Sequence, residues 1–152
     1  MAPMHADPAR FVHPRLPAAF LATGLLALSL LAGCASTGRD DALREAQYAW
    51  SAAIRWGDFD GAWQLVDPEW REAHPLTELE RARYEQVQIS FYRDGAQRAD
   101  GDTVQRAVDI GVINRHTLEE RQLRYTEQWR WDPEAEAWWI ADGLPDLWAA
   151  HP

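Results

Sequence analysis

The chain of 152 residues contains no lysine; all 15 of its basic residues are arginine, which we read as the codon bias of a GC-rich genome rather than as function. It has one cysteine, Cys34. A single thiol excludes an intrachain disulfide and any cysteine-based metal site. His74, His116 and His151 each lack a partner at ligand spacing, so no zinc site is expected. Asp100-Gly101-Asp102 has two ligands of a calcium loop but not the others or the closing glutamate, and a turn explains it better. There is no glycine-rich phosphate loop and no Gly-x-Ser-x-Gly elbow, which disfavours nucleotide-dependent and hydrolase activities. No cofactor is implied.

At the start of the chain, Arg10 and Arg15 precede an apolar run from Leu16 to Gly33. Basic region, apolar region and small residues are the layout of a cleaved export signal. The run is slightly short for a membrane-spanning helix, which needs about 20 apolar residues, and Pro17 and Gly24 interrupt it. Removing it before Cys34 leaves 119 residues with 13 arginines and 23 acidic residues, a net charge of −10. Such a surface repels phosphate backbones, and nucleic acid is not an expected partner. The expected organisation is a signal over 1–33, a lipidated tether over 34–39 and a single domain over 40–152.

Leu31-Ala32-Gly33-Cys34 resembles the lipobox of bacterial lipoproteins. The resemblance implies a diacylglycerol on the Cys34 thiol, cleavage before Cys34, and acylation (palmitate or a similar chain) of the new amino group. Several acyl chains anchor stably where one does not. Ala35, rather than aspartate, follows the cysteine, which implies sorting to the outer membrane with the domain facing the periplasm. The stretch from Met1 to Pro14 is long for such a leader, and Met4 is an alternative start.

Beyond the tether, Asp40 or Asp41 is placed to cap a helix, and Leu43, Ala46, Trp50 and Ile54 recur at helical spacing. Gly57 fits its stop. Asp58-Phe59-Asp60 restarts a second helix with Ala62, Trp63, Leu65 and Val66, and Pro68 breaks the chain or begins a new element. Thr77-Glu78-Leu79-Glu80 has capping-box spacing and opens a helix to about Tyr84. Then the period changes to two. Val87, Ile89 and Phe91 alternate with Gln88, Ser90 and Tyr92, and Asp94-Gly95 reads as a turn. Val104, Arg106, Val108, Ile110 and Val112 form a second strand. Leu123, Tyr125, Glu127, Trp129 and Trp131 form a third. Asp132 to Glu136 is a hairpin loop, and Trp138, Trp139 and Ile140 close the series. Helices followed by an antiparallel meander give an α+β fold, with the N-terminal helices packed on a curved sheet.

Three segments, Ala53 to Val66, Tyr125 to Trp131 and Ala137 to Gly143, resemble the NTF2-like superfamily, which includes SnoaL-like and ketosteroid-isomerase-like domains. The resemblance implies a cone-shaped sheet around one apolar pocket. It also implies homodimers paired through their sheets, in a family of isomerases, dehydratases and non-catalytic binders.

All nine tryptophans follow Cys34. Trp50 and Trp63 are expected in the core, and Trp56 and Trp70, near polar breaks, at least partly exposed. If the third strand faces a pocket, Trp50, Tyr125 and Trp129 are its candidate ligand-binding residues. Glu127 is then a carboxylate among aromatics, whose raised pKa suits a general acid or base, with Tyr125 as a nearby donor. The competing reading pairs Glu127 with a cross-strand arginine such as Arg106. Asp109 is expected on the opposite, solvated face. The function these readings favour is a lipid-anchored envelope protein, non-catalytic, that binds a small apolar ligand or an envelope protein. The alternative is an isomerase- or dehydratase-type enzyme.

Overall fold

The computed structural model describes residues 38–149. The expected export signal, the segment that resembles a lipobox and Cys34 lie outside the described residues, as does His151.

Residues 38–56 are helical and belong to the first helix, α1, from the first described residue onward. It thus includes Gly38 and Arg39, assigned above to the tether. Arg39 is held in place: its guanidinium lies 4.9 Å from the Trp138 ring and 5.1 Å from the Trp131 ring, and it pairs with Asp102 at 2.7 Å. Leu43, Gln47, Trp50 and Ile54 make the buried stripe, at the spacing of one helical face. Gly57 ends the helix at φ 71°, a left-handed conformation that a side chain would strain.

Three short helices follow. Helix α2 (Phe59–Trp63) is capped by the Asp58 carboxylate, which accepts from the Gly61 amide. Helix α3 (Pro68–Ala73) has proline in its first turn and Asp67 as its cap. Helix α4 (Glu78–Tyr84) carries the full capping box, Thr77 with Glu80.

The four strands are β1 (Val87–Asp100), β2 (Thr103–Asn114), β3 (Glu120–Asp132) and β4 (Ala137–Ile140), paired antiparallel in the order β1-β2-β3-β4. Asp94-Gly95 is not a turn. Strand β1 runs on to Asp100, and the irregular residues are absorbed as a break in register between Asp94 and Gln97. A second break, between Ile89 and Phe91, flips the alternation, so Tyr92 is buried and Phe91 is half-buried. The free edge of β4 is covered by residues 65–67, where Ile140 donates to the Leu65 carbonyl and Asp67 donates to that of Ile140.

The expected NTF2-like cone with an open apolar pocket is not what these residues build. One face of the sheet is filled. Trp50 and Ile54 of α1 pack with Val104, Val108, Ile110 and Trp129, all at most 2% exposed. Trp50 meets Trp129 edge-on at 6.2 Å. Burial of each such side chain contributes about 1.5–3 kcal/mol, and the aromatic pair adds roughly 0.5–1.5 kcal/mol. The segments that carried the resemblance are mostly Gly, Asp and Trp positions. These report turns and bulky core residues, which any helix-then-meander domain needs.

Candidate functional site

Two sites in the described domain hold the polar and aromatic groups of interest: a buried cluster on the sheet and an open groove under α4.

The cluster centres on Glu127, which is 0% exposed. Register alone brings it opposite Arg106. Arg106 donates from Nε to Glu127 Oε2 at 2.7 Å, and its Nη2 lies 2.7 Å from the same oxygen. Trp129 Nε1 donates to Oε2 at 2.9 Å, and the Tyr92 hydroxyl donates to Oε1. Arg106 also donates to Tyr92 Oη at 3.1 Å. The cross-strand pairing is therefore the arrangement that forms. Burial works against the Arg106 charge, but the hydrogen bond and attraction of Glu127 outweigh it and hold its pKa up. Burial, then the Glu127 charge, push the Tyr92 phenol well above its ordinary range.

This arrangement corrects the expected pocket. Both Glu127 oxygens accept from donors of the protein and the side chain is fully buried, so neither is presented to a substrate proton. Trp50 and Trp129 are packed against each other rather than lining a cavity. Tyr125 is not the donor to Glu127; that donor is Tyr92, which the sequence placed on the other face. The only warning in the sequence was the adjacent Phe91-Tyr92 pair, since the bulge that turns Tyr92 inward has no signature of its own. The Tyr125 hydroxyl and the Trp50 indole nitrogen are buried without a hydrogen-bond partner among the described residues. Burial first, then the charge of Glu127, raise the Tyr125 pKa. Asp109, on the other face, forms a bidentate pair with Arg124 at 2.7 and 3.1 Å.

The groove has a volume of about 480 Å³. Its walls are aromatic: Trp63, Trp70, Tyr84 and Trp148, with Leu76 and Leu144. Each wall is placed by a local feature of the chain. Trp70 sits on α3, meets Trp63 edge-on at 5.6 Å, and is backed by Gly143 at φ 87°. A side chain at Gly143 would run into the Trp70 ring. Tyr84 ends α4, donates to the Pro145 carbonyl at 3.0 Å and packs on Phe59 at 4.6 Å. Trp148 meets Tyr84 edge-on at 5.2 Å.

The polar groups of the groove lie among these rings. His74 stacks on Trp70 at 4.4 Å, and the Arg83 guanidinium lies over Trp148 at 4.1 Å. Glu80 and Asp146 are the two carboxylates of the lining. Burial raises the Tyr84 pKa, and Asp146 and Glu80 raise it further while Arg83 opposes them. Sequence reasoning missed this site apart from the exposure of Trp70, because its walls come from three helices and the segment after β4. Two smaller grooves adjoin it through shared residues, one through Leu76 and Tyr84 and the other through Trp148. None of the three includes Glu127, Trp50, Tyr125 or Trp129.

Among the described residues, no group of three or more His, Cys, Asp or Glu side chains is placed to hold a metal ion. No helix among them is long and apolar enough to cross a membrane.

No family model matches the chain, and no curated protein matches it. Among solved structures it is similar to a SEC-C motif containing protein from Rhodopseudomonas palustris, determined in solution. The two share 20% identity over 61% of this chain and 70% of that one, with a TM-score of 0.50. At that identity the likeness is one of fold. It overturns the NTF2-like resemblance, since the SEC-C protein has a different fold from that superfamily.

Proposed function

We propose that this domain is a non-catalytic binding module, tethered to the bacterial envelope through acyl chains on Cys34, and that its ligand occupies the aromatic groove under α4. The observation that carries this reading is the groove itself. At about 480 Å³ it falls in the size range of small-molecule sites. Its lining combines several aromatic walls with a few polar groups, which is the usual chemistry of such sites. The sealing of Glu127 weighs against the enzyme alternative, because a carboxylate that is 0% exposed and paired with Arg106 is out of a substrate's reach.

The reading is tested with N-phenyl-1-naphthylamine, whose fluorescence rises in apolar sites. The expected result is saturable, one-to-one binding by the purified protein. Trp148→Ala should weaken it at least several-fold while leaving the circular dichroism spectrum unchanged. Binding unaffected by Trp148→Ala and Trp70→Ala together would refute the assignment to this groove.

A further inference from the structure

We infer that the groove selects organic cations: ligands with an apolar body and a cationic head that takes over the Trp148 face now covered by Arg83, beside the carboxylates of Glu80 and Asp146. This inference rests on the reading of the groove as a ligand site and specifies the chemistry it accepts.

Three observations carry it. The first is what already lies on the rings. The Arg83 guanidinium sits 4.1 Å from the centre of Trp148, within the distance at which the negative face of an indole attracts a cation. Arg83 is exposed and makes no ion pair among the described residues. It is therefore held chiefly by the ring, on a side chain free to swing into water, and acts as a displaceable stand-in for a ligand cation.

The second is the placement of the carboxylates. Glu80 Oε2 is engaged by the Thr77 amide and hydroxyl, and Asp146 Oδ1 by the Trp148 amide. These local bonds fix both groups in the groove and leave the second oxygen of each without a partner among the described residues. Both carboxylates belong to the groove lining, so they remain to attract a cation that replaces Arg83 on the Trp148 face. The third is the field of the whole chain, at −9, which concentrates cations at the surface. The neutral wall of Leu76, Leu144 and Trp63 receives the apolar body.

The test compares choline with its neutral isostere 3,3-dimethylbutan-1-ol, binding to the purified full chain being followed by tryptophan fluorescence. Choline should bind about two- to thirty-fold more tightly, the ratio that a cation–π contact supplies. Arg83→Ala should tighten choline binding by uncovering Trp148. Asp146→Asn, which keeps the acceptor for the Trp148 amide, should weaken choline binding and leave the isostere unchanged. Equal affinity for choline and the isostere overturns the inference, and so does an Arg83→Ala variant that binds choline no better than the parent. If N-phenyl-1-naphthylamine binds normally in either of those cases, only the cation selectivity falls. If that probe also fails to bind, the groove reading falls with it.

Discussion

Glu127 shows how far a single residue's surroundings decide its role. A carboxylate between Tyr125 and Trp129 on an inward strand face has the sequence signature of a tuned acid. Its partners make it structural. Removing one member of a buried, hydrogen-bonded ion pair strands the other charge, which costs about 3–5 kcal/mol, whereas replacing both with apolar residues is often neutral. Arg106→Leu should therefore destabilise the domain by about that amount, and Arg106→Leu with Glu127→Leu by clearly less. Urea unfolding of the parent and both variants checks this. A single variant within about 1 kcal/mol of the parent would show that the pair is not as sealed as its geometry indicates. Arg106 opposite Glu127 was legible, because two strands with alternating patterns and a short turn leave few registers. Tyr92 was not legible, because one bulge inverted the face on which it sits.

Among the elements, those with strong local chemistry were the easiest to place. The Thr77–Glu80 box, Gly57 as a stop and the Asp132–Glu136 loop formed where their side-chain chemistry predicts, and of the two readings of Pro68, a break or a new element, the structure shows a new element, helix α3. The helix start at Asp40 and the turn at Asp94 were misplaced. The first was misplaced because Arg39 is recruited by Trp131 and Trp138, far away in sequence. The second was misplaced because pairing with β2 overrides a weak turn signal. Helix α4 is also where pH should act. The Thr77 amide, then its hydroxyl, hold the Glu80 carboxyl below its usual value of 4.5. A carboxyl whose pKa is lowered in the folded state contributes stability that is complete above the unfolded value and is lost as pH falls through the folded one. Amide exchange in residues 78–81 should thus accelerate, relative to the strands, as pH drops below about 4.5, the ordinary value for Glu80. Glu80→Gln should remove that dependence. Equal protection of α4 at pH 6 and pH 3, measured against the strands, would contradict it.

At the scale of the whole molecule, a domain with a filled sheet interior carries an aromatic groove of about 480 Å³ on the outside, between short helices. Six of the nine tryptophans divide accordingly. Trp50 and Trp129 close the core, Trp63, Trp70 and Trp148 build the groove, and Trp56 stands 83% exposed at the end of α1. The proposed tether makes a separate prediction. Cys34→Ser should leave the chain unprocessed and without its acyl anchor; a variant processed and sedimenting with outer membranes like the parent would refute the lipid attachment.

The central claim is that a ligand meets the groove and not the sheet interior, and the indole N–H signals of the tryptophans test it most directly. Adding N-phenyl-1-naphthylamine to the ¹⁵N-labelled protein should shift the indole signals of Trp70 and Trp148 and leave those of Trp50 and Trp129 in place. Shifts at Trp50 and Trp129 with Trp70 and Trp148 unmoved would put the ligand against Glu127 and contradict the account.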